Sequence, residues 1–228
     1  MVVSLAFTLN VVSTPPLVEF SNVGFSTSGI TVLHDVDLTM SPGDVLGVSG
    51  PNGSGKTTLL RLLATLLRPS TGTWTTLGVS EHSPRQAIVR MRPAIALLGH
   101  TPAVWLELTL RENVDIVDGL TPSDGDLDPL SAVGLAGAAD RRAEHASLGM
   151  LRRVEFARVL RRVPKLLLLD EAHAGLDAAA AEVVAEAVRR VTSCGGAAVM
   201  VSHEPARINA LTTRTARIDS GTLVEDSL

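Results

Sequence analysis

Two rhythms of apolar and polar positions run along the chain. Leu17 to Phe20 is a short apolar run of strand type. From Val32 to Met40, apolar Val36, Leu38 and Met40 alternate with Asp37 and Thr39, the period of two expected of a half-buried strand. Ser41-Pro42-Gly43-Asp44 is a turn signal, and Val45 to Ser49 follows as a buried strand. A glycine-rich loop then leads into a leucine-rich helix predicted over Lys56 to Leu67, which Pro69 and Gly72 stop. A strand near Thr73 to Leu77, a short helix around Arg85 to Met91 and a strand over Ile95 to Leu98 come next.

The texture changes in the middle. Thr109 to Arg162 carries helical runs without a convincing buried strand, and Pro122 to Gly125 with Pro129 marks a loop within it. This predicts a helical lobe over about residues 103–162 inserted into an α/β core. The core resumes with a strand at Leu166 to Leu169, a helix over Ala178 to Val191 and a strand at Ala197 to Ser202. A short helix at Pro205 to Leu211 and a hairpin of Arg214 to Asp219 with Thr222 to Val224 close the chain. Alternation of this kind implies a largely parallel sheet with helices on both faces.

Composition narrows the class. A chain of 228 residues fits one large domain or a core with an embedded lobe. With 45% apolar and 19% charged residues it is not a disordered chain. The net charge of −4 argues against a generally basic nucleic-acid binder. A single cysteine, Cys194, excludes an internal disulfide framework and fits a reducing compartment. No stretch reaches the roughly 18–20 apolar residues of a membrane span. Residues 1–16 lack a basic start and a clear cleavage site, so they are expected to be a loose, flexible extension rather than a signal peptide.

Two motifs carry chemistry. Gly50-Pro51-Asn52-Gly53-Ser54-Gly55-Lys56-Thr57-Thr58 fits G-x-x-x-x-G-K-[ST], with an apolar strand entering and a helix leaving. Glycines let the backbone curl so that successive N–H groups hold phosphate oxygens, and the helix N-terminus adds partial positive charge. Lys56 supplies a full charge for the β- and γ-phosphates, and the Thr57 hydroxyl can ligate Mg²⁺. The partner motif is Leu166-Leu167-Leu168-Leu169-Asp170-Glu171. Asp170 would hold Mg²⁺ directly or through water, and Glu171 would orient or deprotonate the attacking water.

With both motifs in place, the chain from Leu17 to its end resembles the ATP-binding subunit of an ABC transporter. The resemblance implies an α/β P-loop NTPase fold: a RecA-like core with a parallel sheet, an N-terminal antiparallel β subdomain and an inserted helical lobe. It also implies ATP and Mg²⁺ as ligands. Gly175-Leu176-Asp177 resembles the loop that meets the partner subunit. Val201-Ser202-His203-Glu204 resembles the switch-histidine motif, in which His203 hydrogen-bonds the γ-phosphate. Ala146-Ser147-Leu148-Gly149-Met150 is similar to the family signature, with Ser147 and Gly149 at the positions that grip the γ-phosphate across a dimer interface. Leu148 stands where the family has a glycine. The arginines that follow are expected on a solvated helix face interspersed with Glu155.

Other departures bear on the subfamily. His100 takes the place of the family's glutamine; because Mg²⁺ prefers oxygen ligands, His100 would act through water or as a hinge. The adenine-stacking aromatic is missing at Thr27. Phe25 is the nearest substitute, and plain core is its other reading. The histidine, the proline loop after it and Glu107-Leu108-Thr109-Leu110-Arg111-Glu112-Asn113 resemble the ATPase of the haem exporter in cytochrome c maturation.

The resemblance implies two copies paired head to tail, each ATP lying between residues 50–58 of one and 147–149 of the other. It implies a transmembrane permease docked on the loop at His100 to Leu108, with the subunit at the cytoplasmic face of the membrane and no nucleic acid bound. Trp105 and Leu106 either fill that interface or are buried within the lobe. The alternative function is a regulatory or structural module with little hydrolysis, favoured by Leu148, His100 and Thr27 and disfavoured by Lys56, Asp170, Glu171 and His203. A soluble relative acting on DNA or ribosomes would carry two cassettes or a long insertion.

Overall fold

The computed structural model describes residues 14–117, 128–171, 178–203 and 209–226. Its centre is a six-stranded sheet. Strands β3 (Val45–Ser49), β6 (Ile95–Leu98), β7 (Leu166–Asp170), β8 (Ala197–Val201) and β9 (Arg214–Asp219) run parallel in the order β9-β3-β8-β7-β6, and β10 (Thr222–Glu225) pairs antiparallel with β9 at one edge.

The strand sequences explain why this sheet is buried on both faces. Leu166 and Leu168 of β7 enter one core and Leu167 and Leu169 the other. In β8, Ala197, Val199 and Val201 join the first core while Ala198 and Met200 join the second. A strand lined by apolar side chains on both sides has no solvated face, which is why these strands read as continuous hydrophobic runs instead of alternating ones.

A second sheet has the order β2-β1-β4-β5 and is wholly antiparallel, built from β1 (Val18–Thr27), β2 (Ile30–Met40), β4 (Thr71–Thr76) and β5 (Val79–Ser80). It shares the first core with the central sheet through Val18, Phe20, Leu38, Met40 and Trp74. The first strand is ten residues long, well beyond the Leu17–Phe20 run expected. Three irregularities in its pairing with β2 mask the alternation, and it ends in a tight hairpin, Thr27 opposite Ile30, whose Ser28 and Gly29 have φ of 50° and 77°.

Helix α1 (Lys56–Leu63) packs Leu59, Leu60, Leu62 and Leu63 into the first core. It stops earlier than the expected Leu67. Thr65 adopts a left-handed φ of 55°, and the N–H groups of Leu66 and Leu67 turn back to the Arg61 carbonyl, so the helix is closed by backbone geometry before Pro69 acts.

Helix α2 (Arg85–Met91) matches its expected range. The described residues from Thr109 onward are helical, as expected: α3 (Leu110–Asp115), α4 (Pro129–Ala132) and α5 (Leu148–Arg162), with two 3-10 turns between α4 and α5. Helix α6 (Ala178–Ser193) returns to the sheet and packs Val184, Ala187, Val188 and Val191 into the second core with α5. The loop at Pro122 to Gly125, residues 1–13 and 205–208 of the expected C-terminal helix lie outside the described residues.

Candidate active site

The site forms where β3, β7 and β8 end together, the edge of a parallel sheet at which ligands bind in open α/β folds. After β3 the chain curls through residues 50–55 before entering α1. Two glycines make the curl sterically feasible. Gly50 has φ 149°, and a Cβ there would sit 2.6 Å from the Ile218 carbonyl oxygen; Gly55 has φ 108°, and a Cβ there would sit 2.7 Å from Leu33 Cδ2.

Inside the curl Lys56 is 7% exposed, and its Nζ donates to the carbonyl oxygens of Gly50 and Pro51, each at 2.8 Å. The ammonium is thus held at the mouth of its own loop. Ser54 Oγ is buried with no hydrogen-bond partner among the described residues, a polar atom that a phosphate oxygen would satisfy.

Strand β7 brings in the acids. The Thr57 hydroxyl donates to Asp170 Oδ2 at 2.8 Å. Glu171 has a left-handed φ of 53°, held by its N–H on the Val201 carbonyl at 3.1 Å, and its Oε1 lies 3.1 Å from His203 Nδ1. A non-glycine residue in this conformation at a strand end is strain of the kind that collects at functional sites.

A cleft of about 400 Å³ opens here, lined by Asn52, Gly53, Gly55, Lys56, Thr57 and Thr58 from the loop and helix, by Asp170 and Glu171, and by His100 from the loop after β6; Gly50, Pro51, Ser54 and His203 are not in its lining. Val32, read from the sequence only as the start of a strand, lines it too. An adjoining cleft of about 370 Å³ is shared by Thr57, Asp170, His100 and Thr101. Thr101 is a further polar candidate that the sequence reading missed beside His100.

Among the described residues no group of three or more His, Cys, Asp or Glu side chains could hold a metal. A divalent ion here would take the hard oxygens of Thr57 and Asp170 and fill its remaining positions with phosphate oxygens and water, a donor set that fits Mg²⁺.

Other predicted residues stand elsewhere. Ser147 caps α5, its hydroxyl accepting from the Met150 N–H at 3.2 Å. Leu148 is 69% exposed, and a Cβ on Gly149 would meet nothing within 4 Å. Neither Ser147 nor Gly149 lines the cleft beside Lys56. Phe25 pairs with Leu33 and packs against the first core, which favours its core reading. Trp105 and Leu106 are half exposed. Gly175-Leu176-Asp177 and Glu204 lie outside the described residues.

The helix after Ser147 corrects an expectation. Instead of a solvated face, Arg152 and Glu155 are buried, with side chains 7% and 5% exposed and Arg152 Nη1 2.6 Å from Glu155 Oε2. They grip the loop that carries His100: Arg152 Nη2 donates to the His100 carbonyl at 2.6 Å, and the Ala103 N–H donates to Glu155 Oε1 at 2.8 Å. One turn on, Arg158 donates to the Ala103 carbonyl and, at 2.8 Å, to Asn113 Oδ1, while its guanidinium lies 5.3 Å from the Trp105 ring centroid. Asn113, fully buried, accepts from the Trp105 N–H and donates to the Trp105 carbonyl, each at 2.8 Å. Burial pushes the Glu155 carboxyl up, against the pull of the Ala103 N–H and the two arginines, and pushes the Arg158 guanidinium down. Charge count alone cannot show that an arginine pairs inward; the backbone groups it meets lie some fifty residues away in sequence.

A glycine-curled loop, a buried lysine and a threonine–aspartate pair at the ends of parallel strands define a P-loop nucleoside-triphosphate hydrolase. Comparison with known proteins takes the assignment further. The ABC transporter family model matches residues 33–174. The chain is 38% identical over 196 residues to the cytochrome c biogenesis ATP-binding export protein CcmA of Nitrosococcus oceani, covering 83% of this chain and 86% of the relative. It is 33% identical over 214 residues to a probable anion import ATP-binding protein of Haloferax volcanii, covering 85% and 74%. Among solved structures, the ATP-binding subunit of an ABC transporter aligns with a TM-score of 0.84 at 21% identity, covering 93% of this chain and 90% of the other. A dimeric ATP-binding cassette in a post-hydrolysis state with ADP and Pi aligns with a TM-score of 0.80 at 22% identity, covering 92% and 98%. The protein belongs to the ABC transporter family: it is an ATP-binding subunit that hydrolyses ATP.

Proposed function

We propose that this subunit powers export through a transmembrane permease, with haem delivery for cytochrome c maturation as the process served. The observation that carries the ATPase half is the convergence of Lys56, the Thr57–Asp170 pair and Glu171 on one cleft, with His203 against Glu171. The export half rests on the similarity to the cytochrome c biogenesis ATP-binding export protein CcmA of Nitrosococcus oceani. Residues 17–228 act as one ATP-binding domain, with about 103–162 as its helical lobe. The subunit sits peripherally at the cytoplasmic face of the membrane. No helix among the described residues is long and apolar enough to cross it.

In this reading Lys56 exchanges the Gly50 and Pro51 carbonyls for β- and γ-phosphate oxygens, and the N–H groups of residues 50–58 other than Pro51 supply the remaining donors. Thr57 and Asp170 would hold Mg²⁺, whose charge would offset that of the triphosphate, and His100 would act toward it through water. Glu171, oriented by His203, takes a proton from the attacking water as the new P–O bond forms and the bond to the β-phosphate oxygen breaks, releasing ADP and phosphate. His203 meets the γ-phosphate from the same side. Two copies pair head to tail, so that Ser147 and Gly149 of one close over the nucleotide of the other, and only the triphosphate bridges both.

The test is turnover of Glu171→Gln against wild type, both supplied with the membrane partner. Loss of a positioned base is expected to slow hydrolysis about 10²–10⁴-fold with ATP still bound; equal rates would remove Glu171 from the mechanism. For the cargo, deletion of the gene should abolish holo-cytochrome c, and a deletion strain with normal holo-cytochrome c would exclude haem export.

A further inference from the structure

We propose that Glu155, together with Arg152, is a positioning residue: the pair locks the loop of His100 to the helix of Ser147 and Gly149, so that the two move as one body during turnover. The inference rests on the ATPase reading above and extends it to residues that never line the cleft.

The loop after β6 has few backbone partners of its own. His100 offers its carbonyl to Arg152 at 2.6 Å, and Ala103 its N–H to Glu155 at 2.8 Å. Both partners stand on α5 within its first eight residues, the same helix whose N-cap is Ser147. Arg152 and Glu155 are three residues apart and bridged at 2.6 Å, so one helical turn presents a donor and an acceptor in fixed relation to two backbone groups. At the other end of the loop Trp105 and Leu106 are 50% and 48% exposed, while His100 faces the nucleotide cleft.

A force applied to the exposed end enters α5 through Arg158 as well as Glu155, and Arg152 carries the tie on to the His100 carbonyl from the helix that Ser147 caps. A buried ion pair adds little net stability, because desolvation offsets the attraction. Holding two backbone groups in register is a role that stability alone would not require of it.

The test uses the full chain in two variants. Arg152→Met with Glu155→Met removes both contacts of the pair with the loop and leaves neither of its own two charges buried alone, while Arg158 keeps the Ala103 carbonyl and Asn113 as partners; the variant is expected to fold, and its melting is measured beside wild type. Its kcat should fall about tenfold, the scale expected of a small misplacement, with KM for ATP unchanged, since ground-state binding is untouched. Deuterium exchange of the amides of residues 99–106 should quicken about tenfold while β7 and β8 keep their protection. Glu155→Gln retains an oxygen for the Ala103 N–H and should recover most of both losses.

A double variant with wild-type kcat and unchanged loop exchange would overturn the proposal and leave the pair a structural filler. Should wild type itself hydrolyse no faster than Glu171→Gln, the ATPase reading has failed separately, and the exchange measurement alone decides: faster exchange at 99–106 supports the lock, unchanged exchange refutes it.

Discussion

The two loops that meet at the cleft are held in different ways. The loop at residues 50–55 is shaped from within, by glycines whose backbone turns where a Cβ would strike Ile218 or Leu33, and by Lys56 folded back on its own carbonyls. The loop at residues 99–105 is shaped from without, by Arg152, Glu155, Arg158 and Asn113 reaching in from α5 and α3. The first kind of loop is a local object and its conformation travels with a short motif. The second is a tertiary object that exists only once a distant helix has docked. The difference predicts different failures: a steric one in the first loop, a loss of polar satisfaction in the second.

The steric failure should be the largest. Gly50→Ala would place a methyl 2.6 Å from the Ile218 carbonyl oxygen and 2.9 Å from Ser54 Oγ at a φ of 149°. Strain and overpacking together are expected to cost roughly 2–5 kcal/mol, a fall in Tm of roughly 10 °C for a chain of this size, together with loss of binding of a fluorescent ATP analogue. Gly53→Ala is the control. Its φ of 80° is strained for alanine, but a Cβ there meets nothing within 4 Å, so only the conformational part of about 1–2 kcal/mol remains. Equal melting losses for the two variants would show that the close approach to Ile218 does not govern the curl.

In the second loop the corresponding change is Asn113→Ala. Asn113 is fully buried and closes both backbone groups of Trp105. Truncation leaves a buried N–H without an acceptor and removes one partner of Arg158, which is expected to cost about 1–3 kcal/mol. Urea denaturation gives the cost, and the fluorescence of Trp105 reports whether the indole loses its seat under the guanidinium. A cost no greater than that of a surface substitution would mean that α5 alone holds the loop, and that the side chain from α3 is redundant.

The same division sets what could be read from the residues alone. The central sheet was legible because a strand buried on both faces, such as Leu166 to Leu169, has no other reading once its neighbours are strands too. The residues that share the cleft were legible because the phosphate loop and the Asp170–Glu171 strand end are each contiguous in sequence. The N-terminal sheet was seen only in part: irregular pairing in β1 breaks the alternation on which strand recognition depends, and β5 is two residues long. The Arg152–Glu155–Arg158 grip was invisible, and was expected on a solvated face, because a charge on a helix reads as surface unless its partner is known. Here the partners are backbone groups of residues 100 and 103, and backbone groups carry no signature in a sequence.

An exposed tie in the helical region gives the smallest effect and sharpens the contrast with the buried grip. Asp128 caps α4: its carboxylate accepts from the Ser131 hydroxyl at 2.6 Å and pairs with Arg111 of α3 at 2.8 Å. The Ser131 hydroxyl first and Arg111 next lower its pKa to about 2 from an ordinary 3.8. A carboxyl depressed in the fold contributes stability that is fully present above its unfolded pKa and is lost as pH falls through the folded one. For Asp128 that window runs from about 4 down to about 2. Both partners are more than a third exposed, at 38% and 36%, so solvent screens the pair and the contribution is expected to be below about 1 kcal/mol. Urea denaturation of wild type and Asp128→Asn should differ by that amount at pH 7 and pH 5, and the difference should shrink at pH 3 and in high salt. A difference that stays constant from pH 7 to pH 3 would assign the effect to the hydrogen bond with Ser131, which asparagine can replace in part, and none of it to charge. The buried pair on α5, shielded from solvent, should by contrast show little response to salt.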